Sequence, residues 1–318
     1  MLVTIVVATL GRTHLLERAI RSVLRQTHED YELILVDDGS PDGQMLSRLV
    51  DSWKDSRIRL IRRSVNGGPA AARNAAIFQA QGELVAFLDD DDEFYPTSVQ
   101  LMVEAWSRCG SDYTFCWGDW DQVTDGSYPQ RRIRMRWAPD PTRLAQGLVL
   151  ACMGNPTLPT GALVVPTSLI RRIGGFDENL RAAVDTDLLL RLVDLATPVP
   201  IPHSLFVMHQ HGAPRVSNPG LRRAEALERI MSKHEERLRG DSGLRATWHL
   251  RVAWHYAHGH AMWKARHQAL RAVLSQPRNP EALGSLAAML LSPKSSIRVR
   301  WASKEVRKWG SRLCRPRR

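Results

Sequence analysis

Leu84-Val85-Ala86-Phe87-Leu88-Asp89-Asp90-Asp91-Asp92-Glu93-Phe94 is the stretch on which the fold of this chain turns. Five apolar residues read as a short buried strand, bounded by Gly82-Glu83 before it and by four consecutive carboxylates after it. Acids therefore stand where a strand ends, and in an open α/β sheet that edge is where ligands bind. Four adjacent like charges repel one another, so a folded chain needs solvation, a helix N-terminus or a cation to hold them together. Pro96 and the helical pattern after it make a helix cap the plain reading of the cluster.

The neighbouring segments repeat the same punctuation. Leu2–Ala8 is apolar nearly throughout, as a central parallel strand should be, and ends at Thr9-Leu10-Gly11-Arg12. A helix follows, with Leu15, Leu16, Ala19, Ile20, Val23 and Leu24 on one face. The strand Glu32–Val36 runs directly into Asp37-Asp38-Gly39-Ser40-Pro41. A helix over 44–53, a strand over 58–61, the turn Asn66-Gly67-Gly68 and a helix over 69–80 complete a βαβαβαβ run, which argues for a mostly parallel sheet. At Gly68-Pro69, backbone N–H groups and the helix dipole would favour an anion near Arg73. Neither GxGxxG nor GxxxxGK[ST] occurs, so neither a dinucleotide fingerprint nor a P-loop is present.

Downstream, a helix over 101–106 and a strand over 113–117 precede an irregular stretch, 119–154, whose basic run 131–136 reads as an exposed strand or loop. A strand over 162–165 and a short helix over 167–173 lead to Gly174-Gly175-Phe176-Asp177-Glu178. Asp185-Thr186-Asp187 opens another helix, and either Asp suits its N-cap. Strand-like segments near 199–201 and 205–208 end at His209-Gln210-His211. From Leu221 the pattern is helical, with amphipathic helices over 246–259, 261–275 and 280–291. His249, His255, His258, His260 and His267 lie among Trp248, Trp254 and Trp263, a mix that suits packing and surface positions better than a metal site.

The chain of 318 residues has room for one large α/β domain and an appendage. No apolar run approaches the ~18 residues of a membrane span, and the first residues form a strand pattern without a basic leader. Cys109, Cys116, Cys152 and Cys314 show no metal-type pairing, which suits a reducing cytoplasm. The net charge of +11 is concentrated at one end: residues 294–318 hold ten Lys or Arg against Glu305, leaving +2 over residues 1–293. The body is nearly neutral and argues against nucleic acid as its partner, whereas the basic, Trp-containing tail suits an interfacial helix on an anionic membrane surface, an RNA-binding tail or a disordered end. The expected place is the cytoplasm, at the inner face of a membrane.

In their order along the chain, Thr4-Ile5-Val6-Val7-Ala8-Thr9, Ser22-Val23-Leu24-Arg25-Gln26-Thr27, Val36-Asp37-Asp38-Gly39-Ser40, Gly68–Asn74, Phe87–Asp92, Gly174–Glu178 and Asp185-Thr186-Asp187-Leu188 with Arg191 resemble the GT-A-fold glycosyltransferases of family 2. The resemblance covers residues 2–217 and lapses in 119–154. It implies a Rossmann-like, mostly parallel sheet flanked by helices, followed by a C-terminal helical extension. The implied layout is a transferase domain over 1–218, with a donor half (1–118) and an acceptor half (119–218), then helices (219–293) and the tail (294–318). The implied activity is inverting, metal-dependent transfer of a sugar from a nucleotide-diphosphate sugar to a hydroxyl of a glycan or lipid-linked glycan.

The resemblance also assigns residues. Ala8, Thr9, Asp38, Arg73, Asp89 and Asp90 would bind the donor, with Asp38 accepting from the base and Arg73 approaching the diphosphate. Asp89, Asp91 and His211 would hold Mn²⁺ or Mg²⁺, with Asp91 the direct ligand. Asp185 would be the catalytic base, although Val184 stands where relatives often carry Glu. Two other readings stay open: a nucleotidyltransferase, and an inert GT-A fold serving as a polyanion- or membrane-surface-binding module.

Overall fold

A computed structural model describes residues 1–41, 43–109, 111–124, 132–135, 159–210 and 220–291. The chain divides into two compact units: Met1–Ala138 with Leu158–Asn179 and Leu188–Ala213, and Pro139–Thr157 with Leu180–Asp187 and Pro214–Arg318.

The first unit is built on a mixed sheet. β1 (Val3–Thr9), β2 (Tyr31–Asp37), β3 (Ile58–Arg62) and β4 (Leu84–Asp89) run parallel in the order β3-β2-β1-β4. Helices α1 (Thr13–Leu24), α2 (Gly43–Trp53) and α3 (Pro69–Ile77) make the crossovers. Residues 33–36 and 84–88 are buried without a break, as strands covered on both faces must be. In sequence order, strands are laid outward from β1 in one direction and then the chain returns to its other side at β4. That reversal opens a crevice at the carboxyl ends of β1 and β4.

Beyond β4 the sheet turns antiparallel through β8 (Leu163–Pro166) and β6 (Thr114–Thr124), continues parallel into β9 (Thr197–Gln210), and ends on the two-residue β5 (Glu93–Phe94). β7 (Arg132–Met135) pairs with β6, so the part of the basic run that is described is an exposed strand, as expected. Three expectations are corrected here. The strand near 113–117 continues to Thr124, because Asp119 and Asp121 are buried as ion-paired members of it, held by Arg134 and Arg132. The two segments near 200 and 206 are one strand, β9, whose register against β6 shifts at Gly118–Trp120. Finally, the helix after the acids, α4 (Ser98–Cys109), begins only beyond β5. The carboxylates therefore do not cap it.

Asn74 on α3 fixes the Gly174–Glu178 motif, which follows α5 (Thr167–Arg172). Its Oδ1 accepts from Phe176 N (2.8 Å), and its Nδ2 donates to Phe176 O (2.9 Å) and Glu178 Oε1 (2.8 Å). Gly175, at φ +69°, comes so close that a Cβ there would meet Asn74 Oδ1 at 2.3 Å.

The second unit holds the first turn of α6 (Val184–Leu192) and the helices α7 (Leu221–Lys233), α8 (Glu235–Arg239), α9 (Ser242–His258), α10 (Met262–Ser275) and α11 (Pro280–Leu291). Asp241 caps α9 by accepting from Leu244 N at 2.9 Å. Ala246, Leu250, Ala272 and Ala282 form a core between α9, α10 and α11. Small alanines let these helices approach closely.

Candidate active site

Strand register brings the expected donor residues to one edge. Ala8 lies opposite Val36 on one side and Asp89 on the other, and Thr9 opposite Asp37. Asp38 continues from that end, its N–H donating to Thr9 O at 3.0 Å. Three neighbouring parallel strands, β2, β1 and β4, ending level are what gather residues 8, 9, 38 and 89 from distant parts of the chain.

The carboxylates are crowded and partly neutralised. Asp90 is fully buried; Thr9 Oγ1 donates to its Oδ2 at 2.6 Å, and Arg12 pairs with both of its oxygens. Burial pushes the Asp90 carboxyl up to about 6, against the opposing pull of Arg12 and Thr9. Arg12 Nη1 also reaches Asp91 Oδ2 at 2.9 Å, and Arg18 donates to the Asp91 carbonyl. Arg73, on α3, donates to Asp89 Oδ1 at 2.6 Å and lies over the Phe176 ring. Two guanidinium groups thus bracket the acids.

Carboxylate oxygens of Asp89, Asp91 and Asp92 lie within 4.8 Å of one another, a group able to hold a metal ion. An all-oxygen, all-carboxylate set fits a hard divalent cation such as Mg²⁺ or Mn²⁺. Asp92 is an addition to the expected set: its Oδ1 accepts from His209 N at 3.0 Å, while His209 Nε2 lies 3.0 Å from Glu93 Oε1. The end of β9 is thereby tied to the acid turn. His211, expected as a further ligand, lies outside the described residues.

Asp38 corrects the expected anion site at Gly68. Its carboxylate accepts from Gly67 N (3.1 Å), Gly68 N (2.7 Å) and Arg63 Nη1 (2.5 Å), so these N–H groups already hold an anion belonging to the chain. Arg12, Arg18, Arg63 and His209 were not among the expected site residues. A loop arginine that pairs with a carboxylate 78 positions along leaves no local pattern.

Beside the acid turn runs a groove of about 600 Å³, lined in part by His14, Arg18, Arg21, Arg25, Glu93 and Arg132. Arg21 lies over the Trp53 ring and Arg132 over the Tyr95 ring, which holds these cations in place along it.

In the second unit, Asp185 sits in the first turn of α6, its Oδ1 accepting from Thr186 N at 2.8 Å. It is the only side chain from 182 to 190 that is not buried. Ala183 precedes it at φ 54°, a left-handed conformation that sets the turn. Asp187 is no cap: fully buried, it pairs with Lys233 Nζ at 2.9 Å and lies 3.4 Å from His234 Nε2.

The "Glycosyl transferase family 2" model matches residues 4–156. The putative colanic acid biosynthesis glycosyl transferase WcaA of Escherichia coli K12 is 31% identical over 220 residues, covering 68% of this chain and 76% of WcaA. The chain belongs to glycosyltransferase family 2. This glycosyltransferase is also 31% identical, over 126 residues, to the E. coli UDP-Glc:alpha-D-GlcNAc-diphosphoundecaprenol beta-1,3-glucosyltransferase WfgD, covering 40% of this chain and 48% of WfgD. Among solved structures, S. aureus TarS 1–349 in complex with UDP-GlcNAc superposes with a TM-score of 0.64 at 16% identity, covering 98% of this chain and 90% of that one. The mannosyltransferase PcManGT of Pyrobaculum calidifontis, in complex with GDP-Man and Mn2+, gives 0.57 at 18% identity, covering 98% and 83%. The fold is GT-A, and family membership displaces the nucleotidyltransferase reading. Among the described residues, no helix is long and apolar enough to cross a membrane.

Proposed function

We propose that this glycosyltransferase moves a sugar, with inversion, from a nucleotide-diphosphate sugar to a hydroxyl of a glycan or lipid-linked glycan, using Mn²⁺ or Mg²⁺ at Asp89 and Asp91. The observation that supports this most directly is the Asp89–Asp91–Asp92 oxygen group at the carboxyl edge of β4, bracketed by Arg12 and Arg73. Repelling carboxylates held by arginines are set up to exchange those partners for a cation and a diphosphate.

In this reading Ala8, Thr9 and Asp38 receive the nucleoside, Asp38 accepting from the base through lone-pair capacity left beside its three hydrogen bonds. Asp90, locked by Thr9 and Arg12, sets the turn that presents Asp89 and Asp91. Arg73 moves from Asp89 to the donor diphosphate. When bound, the cation supplies Lewis-acid charge to the departing nucleoside diphosphate. Asp185 is the base: it takes the proton of the acceptor hydroxyl as that oxygen attacks the anomeric carbon from the side opposite the leaving group. His211 completes the metal set.

The acceptor reading draws on WfgD, whose name specifies a sugar on diphosphoundecaprenol. The arginine-lined groove beside Glu93 suits the anionic link of such an acceptor. We assign donor binding to residues 1–118, apart from the α1 side of that groove, acceptor binding to 119–218 together with the groove, and accessory roles to the helices and tail. The tail, net +9 over 294–318, would hold the enzyme on an anionic cytoplasmic leaflet where lipid-linked acceptors lie.

A panel of nucleotide sugars, each tested with Mn²⁺, Mg²⁺ or EDTA for thermal stabilisation and hydrolysis, tests the donor reading. Asp91→Ala should lose metal-dependent donor binding, and Asp185→Asn should keep it while losing transfer. Metal-independent binding, or full transfer by either folded variant, sinks the assignment.

A further inference from the structure

Basic charge extends beyond the tail into the folded helices. Residues 242–318 contain sixteen Lys or Arg and only two acids, Glu281 and Glu305, whereas residues 1–241 carry a net charge of −3. Six of those sixteen bases belong to residues 242–291, ahead of the tail. The helical region is therefore itself cationic.

On α10 this charge meets an apolar face. Trp263 is 71% exposed, Leu274 69% and Leu270 45%. At 100° per residue these three positions fall within about 40° of one another on the helix surface. The opposite face is spoken for: Ala265, Ala269 and Ala272 are buried, and α10 packs on α9 and α11. Lys264 has its ammonium 5.7 Å from the Trp263 ring centroid and 3.6 Å from Glu225 Oε1 on α7, Arg271 stands exposed beside Leu270, and the helix itself carries no carboxylate. The next helix repeats the pattern, with Leu283 and Leu290 exposed seven residues apart.

Exposed tryptophan and leucine on one face, with cations and no acid on the rest of the helix, suit a helix that lies in a membrane interface. A stripe of this kind facing water is costly, and a nucleic acid would need stacked aromatics where here there are leucines. We propose that α10 docks on an anionic lipid surface, with Trp263, Leu270 and Leu274 entering the interface and the basic residues of 242–318 drawn to its headgroups. This adds a folded, depth-setting contact to the attraction assigned to the tail. It depends on neither the donor nor the catalytic assignment.

The test is co-sedimentation of the full chain with vesicles of phosphatidylcholine alone or with 30% phosphatidylglycerol, alongside the folded variants Trp263→Ser/Leu270→Ser/Leu274→Ser and Trp263→Phe. All three positions are exposed, so circular dichroism and the melting temperature should match wild type. Partition into the anionic vesicles should fall about tenfold or more in the triple variant although its tail is intact. Brominated acyl chains should quench wild-type fluorescence more than that of Trp263→Phe. Unchanged partition of the triple variant, or quenching identical in the two proteins, overturns the proposal. So does a lipid-free wild-type dimer that the triple variant converts to monomer, since a second copy would then cover the face. RNA binding that the triple variant loses, without any loss on vesicles, overturns it as well.

Discussion

The acids at the end of β4 and the polar side chains among the C-terminal helices are both buried or half-buried, yet they are satisfied in opposite ways. In the helical unit each group closes a circuit: Glu228 accepts from Tyr256 Oη (2.5 Å) and from Gln268 Nε2 (2.6 Å), and Gln268 Oε1 lies 2.6 Å from His249 Nδ1. Such a network specifies helix packing and has little to offer a ligand. At the acid turn, three carboxylates, Asp89, Asp90 and Asp91, share two arginines, Arg12 and Arg73, and like charges remain adjacent. The contrast separates polar groups that hold a fold from polar groups held by it. Among the described residues, the histidines and tryptophans clustered in the sequence form no group able to hold a metal ion, whereas Asp89, Asp91 and Asp92 do.

The sharpest way to break that contrast is Arg12→Ala. It leaves Asp90 fully buried beside Asp89 and Asp91 without its main counter-charge. A cost of about 3–5 kcal/mol in chemical denaturation is expected, as for other broken buried pairs. A loss below about 1 kcal/mol would mean that the acid turn is as self-contained as the helical network. Next in size is Gly175→Ala. The added Cβ would meet Asn74 Oδ1 at 2.3 Å on a backbone with φ +69°, so the motif must shift or Asn74 must let go of it. About 2 kcal/mol is expected from that strain, and a melting temperature equal to wild type would refute the account of Asn74 as the fixing residue.

On the helical side the contrast sharpens with pH. Burial lowers the His255 pKa to about 3, with Arg223, Arg251 and His258 adding to the shift, and burial lowers His249 too. The folded state thus resists binding protons that the unfolded chain accepts below about 6.5. For His255 the contribution is complete above that pH and is lost as pH falls from there toward 3, by at most about 1.4 kcal/mol per pH unit, and His249 acts in the same direction. Melts of wild type and His255→Phe at pH 7.5, 6 and 5 should diverge on acidification, the variant losing less. Parallel curves would remove His255 as a cause.

Sequence patterns were most legible where one physical demand acted alone. Unbroken apolar runs revealed β1, β2 and β4, the last two ending in acids, and with them the edge that carries Thr9, Asp38 and Asp89, because burial on both faces leaves a continuous hydrophobic stretch. They were least legible where demands conflicted. β6 was obscured past Trp117 because Asp119 and Asp121 look like loop residues until their partners Arg134, Arg132, Tyr95 and Ser204 arrive from elsewhere. β9 was split by Pro198, Pro200 and Pro202, which are tolerated because its ladder to β5 begins only at Phe206. β5 is two residues long and has no period to read. Arg12 in a loop and Lys233 at a helix end matter only through the carboxylates they meet in space.

The smallest expected effect isolates environment from chemistry. Arg21 Nη2 and Glu17 Oε1 form a guanidinium–carboxylate pair at 2.5 Å on α1, one turn apart, with side chains 52% and 45% exposed. Arg12 and Asp90 form the same pair of groups, but with the carboxylate wholly buried. Water already solvates both partners of the surface pair, so Glu17→Ala should change stability by only about 0.3–0.5 kcal/mol, and less at high salt. Glu17 also lines the groove beside the acids, where removing it should raise the local positive charge. The variant should therefore bind a diphosphate-bearing acceptor somewhat more tightly while its melting temperature hardly moves. A large stability loss would show that α1 depends on surface pairing, and weaker acceptor binding would argue that the groove does not take the anionic link.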